Sequence, residues 1–274
     1  MKKHIKQEHP EQGKPARAPR SDKGQRRLIE RDLDILRLIG EQYAYRFDQL
    51  QGLLARHPQT HSADPTFLSE TRTREAIKKW KQLGLVDSRK ILHEDSAWVW
   101  LTRKGLSQVG LSVHFLEPRA ADLSHVLWVN DVRALVEDEE GSLPGFVWES
   151  ERLMRVKREY YQLEKKKDQH LLVPFEYRGK HRPDALLRYR EDEDKREYVT
   201  AIEVELSQKS YENWKKVFME LSIYYTNARY YVRDELRPAL SKALKRFQEE
   251  TPRYGEPETK QRQYIDIHRL KEVL

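Results

Sequence analysis

Glu203 and Glu205 sit two residues apart in the apolar run Tyr198-Val-Thr-Ala-Ile-Glu-Val-Glu-Leu206. A strand alternates its side chains between faces, so this spacing puts both carboxylates on one face and turns Ile202, Val204 and Leu206 toward a core on the other. Nineteen residues before Glu203, Arg182-Pro183-Asp184 leads into Ala185-Leu-Leu187 and brings a third carboxylate to the start of another strand. Three acids converging on a sheet edge have the oxygen chemistry that holds a hard divalent cation such as Mg²⁺. The alternative is plain ion pairing, with Arg182 and Lys209 neutralising the acids.

The elements that must carry these residues follow from periodicity and punctuation. A helix is expected over His125–Val136 with Ser124 as N-cap, broken between Gly141 and Gly145. Phe146-Val-Trp148 opens a strand that ends in Glu149-Ser-Glu151-Arg152. Residues 155–170 are densely charged, with Lys165-Lys-Lys167, and read as a long hairpin or an insertion. Strands are expected at 183–189, 198–206 and 229–233, and a helix over about 208–225. That helix spaces Tyr211, Trp214, Phe218, Leu221 and Tyr225 along one stripe, which fits core packing better than a dimer face. A helix near 237–250 and a strand at 263–268 complete an α/β or α+β layer.

The upstream half has a different rhythm. Apolar residues in 27–39 recur at helical spacing and end at Gly40, and a second helix fits 46–55. The polar loop 56–68 carries His57 and His61, four apart with no third ligand, which reads as solvent-facing. A third helix, Ser69–Leu83, is stopped by Gly84. Winding it at 3.6 residues per turn puts Thr73, Ala76, Ile77, Trp80 and Leu83 on one face. The other side collects Thr71, Arg74, Glu75, Lys78, Lys79 and Gln82, with Arg72 on the flank. Then come Leu85-Val86, Lys90-Ile-Leu92, a turn through Glu94-Asp95-Ser96, Trp98–Leu101 and a Leu101-Thr-x-x-Gly105 exit.

That order resembles a winged helix-turn-helix domain, in which the helix 69–83 would enter the major groove and the 90–98 turn would form the wing. Thr71, Arg74 and Lys78 are then placed to reach base edges, and Arg72, Lys79 and Arg89 to grip phosphates. The same layout serves protein–protein contacts in some chains.

Composition sets the outer limits. Of 274 residues, 38% are hydrophobic and 35% charged, so compact cores under heavily ionised surfaces are expected, in about two domains. No Cys is present, which excludes disulfides and thiolate metal sites. No apolar leader and no stretch of ~18 apolar residues is found, so a cytoplasmic protein without membrane contact is expected. Residues 1–27 hold nine Lys/Arg against three acids, so nearly all of the net +7 lies in that segment. It reads as a disordered basic arm, residues 1–24, that gains affinity for phosphates by counterion release. A DNA-reading domain over 25–120 and an acid-bearing domain over 121–274 follow.

The second half resembles the restriction-endonuclease-like PD-(D/E)xK fold: Pro183-Asp184 supplies its first element and Glu203-x-Glu205 its second, with Glu205 where the motif has Lys, and the resemblance implies Glu151 or Glu149 as the extra acid that some members carry. Taken whole, the chain resembles the replication-relaxation family of plasmid and conjugative-element proteins over about 25–235. The residues that carry this are Leu101-Thr-x-x-Gly105, His125-x₄-Asn130-Asp131-Val-Arg133, Glu149-Ser-Glu151-Arg152, Arg182-Pro-Asp184-Ala and Ile202-Glu-Val-Glu-Leu-Ser207-x-Lys209-Ser210. The resemblance implies an α+β protein that binds double-stranded DNA as an accessory or regulatory factor of a mobile element. Its setting would be plasmid replication, relaxation or transfer, with relaxosome or replication proteins or a second copy of itself as partners. The competing expectation, implied by the nuclease-like resemblance, is a Mg²⁺-dependent endonuclease in which Asp184 and Glu203 bind the metal and Glu205 or Lys209 orders the water for phosphodiester attack.

Overall fold

The computed structural model describes residues 27–61, 64, 66–93, 96–190, 197–251 and 264–270, which form an α+β molecule with two separate sheets. The basic arm and the turn tip at 94–95 lie outside the described residues. The chain opens with α1 (Glu30–Glu41), β1 (Tyr45–Arg46), α2 (Phe47–Arg56) and α3 (Glu70–Gln82), followed by β2 (Val86–Arg89), β3 (Trp98–Leu101) and α4 (Arg103–Gln108). The three strands are antiparallel in the order β1-β3-β2. Ile35, Leu36 and Ile39 of α1, Leu50 and Leu54 of α2, and Trp80 of α3 close a common core with Val99.

Local chemistry sets the limits of these helices, with one exception to expectation. Gly84, at φ 71°, ends α3 in the left-handed conformation that glycine adopts without strain. Thr102 caps α4, its Oγ1 accepting from the Gly105 N–H at 3.0 Å. Gly40 does not stop α1, which continues to Glu41. A Cβ there would stand 2.5 Å from Leu111 Cδ1 and 2.8 Å from Leu101 Cδ1, so this glycine permits close packing within the helix. Lys90-Ile-Leu92 is loop, because β2 stops at Arg89.

The second sheet has five strands in the order β4-β5-β6-β7-β8: β4 (Val147–Ser150), β5 (Ala185–Tyr189), β6 (Tyr198–Glu205), β7 (Asn227–Val232) and β8 (Tyr264–Arg269). β4, β5 and β6 pair antiparallel, while β6, β7 and β8 run parallel. Crossovers through α7 (Tyr211–Tyr224) and α8 (Arg237–Glu250) make that parallel run possible. One face packs Ile202 and Val204 against Val129, Val132 and Val136 of α5 (Ala120–Glu140). The other packs Ala201 and Tyr230 against Trp214, Phe218 and Leu221 of α7 and Leu240 and Leu244 of α8. The aromatic stripe of α7 is therefore core, each such side chain contributing about 2–3 kcal/mol by burial.

Two helices exceed what the sequence suggested. α5 starts at Ala120, so Ser124 lies inside it, and Arg119 pairs with Asp122 at 2.7 Å across its first turn. Residues 151–167 form one helix, α6 (Glu151–Lys167), where a hairpin or insertion was expected. Ser150 caps it, Arg155 bonds Glu151 one turn back at 2.9 Å, and Lys165–Lys167 occupy the last turn, where the helix dipole favours cations.

Buried polar bonds lock the two sheets together. Arg133 on α5 reaches Glu41 at 3.1 Å, Ser150 Oγ donates to the Glu41 carbonyl at 2.7 Å, and Gln49 donates to Asp131 at 2.7 Å. Leu123 packs with Ala44, Trp98 and Trp100 across the same seam. No helix among the described residues is long and apolar enough to cross a membrane.

Candidate functional site

The three acids gather at one end of the second sheet, on its middle strands and not along an edge strand. Glu203 and Glu205 lie at the C-terminal end of β6, and Asp184 precedes β5, whose Ala185 pairs with Ile202. Backbone bonds fix Asp184: its N–H donates to the Ile202 carbonyl at 2.9 Å, and its own carbonyl accepts from the Glu151 N–H at 2.9 Å. The alternation of β6 works as the spacing predicts, with Ile202 and Val204 in the α5-side core and both glutamates buried on the other face.

Each acid has its own basic partner. His125 Nε2 lies 2.7 Å from Asp184 Oδ1, and Asp184 Oδ2 accepts from the Val204 N–H at 2.8 Å. His181 Nε2 lies 2.6 Å from Glu203 Oε1. Lys209 Nζ lies 2.6 Å from Glu205 Oε2, while the Ser207 N–H donates to Glu205 Oε1 at 3.3 Å. Ionised carboxylates this buried would cost several kcal/mol each without such partners. Burial opposes charge on His125 and His181, but the carboxylates beside them, Asp184 and Glu203, outweigh it and hold both imidazoles above the usual histidine range. Burial pushes Glu203 up, against the pull of His181.

Carboxylate oxygens are the donors Mg²⁺ prefers, so Asp184 and Glu203 have suitable chemistry for it. Their arrangement is another matter. One oxygen of each is held by an imidazole, the second Asp184 oxygen by a backbone N–H, and no group of three or more His, Asp or Glu among the described residues is set to hold a metal ion. As folded, the residues do not fit the ion.

The two further glutamates separate. Glu149 is buried away from the cluster, accepting from the Tyr177 hydroxyl at 2.8 Å and pairing with Lys157 at 2.9 Å and Arg188 at 3.3 Å. Glu151 lines a cavity at the seam together with Asp184, His125 and His181, and with Gln42 and Tyr43 from the first unit. His125 stood in the motif pattern without a role, and His181 immediately precedes Arg182-Pro-Asp184; only the fold pairs them with the acids. Tyr43 gave no signal in the sequence.

On α3 the buried face is Thr73, Ala76, Ile77 and Trp80, and the exposed face is Thr71, Arg72, Arg74, Glu75, Lys78 and Gln82. Arg74 pairs with Glu70 one turn back and stacks over Phe47, and Arg72 donates to the His61 carbonyl at 2.9 Å. Arg89 is exposed beside Trp100 and Glu117. Lys79 is turned inward, 2.6 Å from the fully buried Asp32 of α1, so its charge is spent on holding α3 to α1. His57 is half-buried and bonded to Asp34 at 3.1 Å, unlike the exposed His61. Compared with family models, with curated proteins and with solved structures, the chain gave no match in any of the three.

Proposed function

We propose that this protein binds double-stranded DNA as an accessory or regulatory factor of a mobile element, in plasmid replication, relaxation or transfer. Its first unit is read as a winged helix and its second as a PD-(D/E)xK-like domain. The observation that carries the reading is the exposed face of α3. A helix whose one side is sealed by Trp80 and Ile77 presents Thr71, Arg72, Arg74, Lys78 and Gln82 together on the other, with Glu75 as the one acid among them. It stands between a helix pair and a β-hairpin in the chain order α1-β1-α2-α3-β2-β3. Thr71, Arg74 and Lys78 reach base edges, Arg72 and Arg89 hold phosphates, and Lys79 supports the helix from within. The mobile-element setting rests on the motif order described above.

The test is a shift assay at controlled salt on DNA from such an element. Arg74→Ala with Lys78→Ala is expected to abolish site-specific binding while leaving the fold intact. Unchanged affinity removes α3 from recognition.

A second reading, a metal-dependent endonuclease, is favoured by one observation: Asp184, Glu203 and Glu205 share one end of one sheet. The imidazole and lysine pairs weigh against it, as does the absence of lysine at position 205. Incubation of supercoiled and branched DNA with Mg²⁺ or Mn²⁺, wild type beside Asp184→Ala, decides it. Substrate left equally intact by both ends that reading.

A further inference from the structure

α6 leaves the body of the second unit with one face unpartnered. Its first turn is anchored by the buried Arg152 and Met154, and Tyr161 keeps the same face against the core, stacked on Tyr177 at 5.5 Å. From Lys157 to Lys167 no residue is buried. Winding the helix at 3.6 residues per turn carries Leu163 about 200° round from Tyr161, away from the body, with Tyr160 beside it. Leu163 and Tyr160 are each 57% exposed. A lone exposed leucine is ordinary surface, but this one is framed by charges in a pattern that complements itself.

Glu159 stands four residues before Leu163 and Lys166 three after it, so both fall on one flank, about 40° and about 60° round the helix. Tyr160 and Lys167 fall on the other flank, at about 60° and about 40°. Along the axis Glu159 lies about 6 Å to one side of Leu163 and Lys166 about 4.5 Å to the other. A second α6 laid antiparallel, with the two Leu163 side chains in contact, therefore brings Glu159 of each copy level with Lys166 of the other to within about 1.5 Å. On the opposite flank each Tyr160 ring meets Lys167 of the other copy, a cation against an aromatic face. A parallel pair loses the match, because Lys166 then faces Lys167 of the other copy. Within one chain these charges are lightly held. Glu159 makes one long pair, to exposed His114 at 3.6 Å, Lys167 pairs with Glu164 at 2.7 Å, and Lys166 has no carboxylate partner among the described residues.

We propose that a second copy of this chain docks on α6, antiparallel and two-fold, with Leu163 at the centre and Glu159–Lys166 pairs at the rim. Two-fold symmetry makes each of these contacts twice. A seam of about two helical turns is small beside the ~1,600 Å² of a standard interface, so the dimer is weak and concentration-dependent. It does not depend on what the first unit binds.

The experiment is sedimentation velocity of the full chain, without DNA, over a concentration series reaching about 0.5 mM. The average mass is expected to climb from one chain towards two. Leu163→Asp is expected to hold it at one chain throughout, with the thermal midpoint kept because the side chain lies in solvent. Glu159→Lys alone and Lys166→Glu alone are each expected to weaken association by roughly tenfold or more, since like charges then meet twice per dimer. The double exchange, Glu159→Lys with Lys166→Glu, reverses every pair and is expected to restore most of the wild-type affinity. A chain that stays monomeric at the highest concentration overturns the proposal. Association indifferent to Leu163→Asp does the same, because the seam then lies elsewhere. A double exchange no better than either single one overturns the antiparallel pairing.

Discussion

The α3 surface and the acidic end of β6 use charge in opposite ways. On α3, Arg72, Arg74 and Lys78 stand in solvent, Arg74 in an exposed pair with Glu70 and Arg72 on one carbonyl, bonds weak enough for a partner to displace. At the end of β6, Glu203 and Glu205 are buried, and each is matched to one cation at about hydrogen-bond distance. Exposed pairs contribute little to stability, whereas a buried charge deprived of its partner is expensive. The difference gives the second region a role in internal order, and it is the reason the proposed recognition is placed on the first.

The comparison breaks first on binding. Arg74→Ala with Lys78→Ala should cut specific duplex affinity by ~10²-fold or more, at about 1–3 kcal/mol per base contact, while Asp184→Asn leaves it alone. The salt dependence of the shift assay is the readout; a large loss with Asp184→Asn would reverse the two roles. Next comes the seam, where Arg133 is 7% exposed and pairs with both Glu41 and Glu137. Arg133→Ala should cost about 3 kcal/mol in urea unfolding, because buried Glu41 is left with only the exposed Arg37 and the half-buried Glu137 loses its partner. A cost under 1 kcal/mol would mean that the seam is not held by charge.

Asp32 sharpens the contrast within the first unit, since it is a buried acid directly beneath the exposed face. Burial raises it, but Lys79, the Ile29 N–H and Arg31 outweigh that and hold its carboxyl below the usual range. Its stabilisation is therefore complete above the unfolded carboxylate value, near pH 4, and is lost as pH falls through the lower folded value. Asp32→Asn should cost about 2 kcal/mol at pH 7 and flatten the acid limb of the stability profile; an unchanged limb would show that Lys79 gives it nothing. The smallest effect is expected at Lys209, which is 41% exposed. Lys209→Ala should cost about 1 kcal/mol, as Ser207 and Trp214 continue to bond Glu205.

Much of this was legible in the residues because periodicity reports burial directly. The α3 faces followed from a 3.6-residue winding, with Trp80 and Ile77 inward and Lys78 outward, and the alternation of β6 followed from its period of two. Lys79 escaped that logic: it sits at the edge of the polar arc, and a long side chain there can turn either way until a buried acid such as Asp32 decides. α6 was missed because its charges mask a helix that its cap and one-turn pairs support. Gly40 was mistaken for a stop because nothing local reveals that Leu111 and Leu101 press on it.

The sequence by itself determined which residues are acidic, which faces are apolar and where most helices and strands run, since these depend on neighbours a few positions away. Lys209, four residues past Glu205, was legible as its partner, but those of the other acids were a matter for the tertiary structure: His125 comes 59 residues before Asp184, and Tyr43 reaches Glu151 across 108. Pairs so distant along the chain leave no periodic trace in it, and only the packing of two sheets across one seam brings them within hydrogen-bond distance.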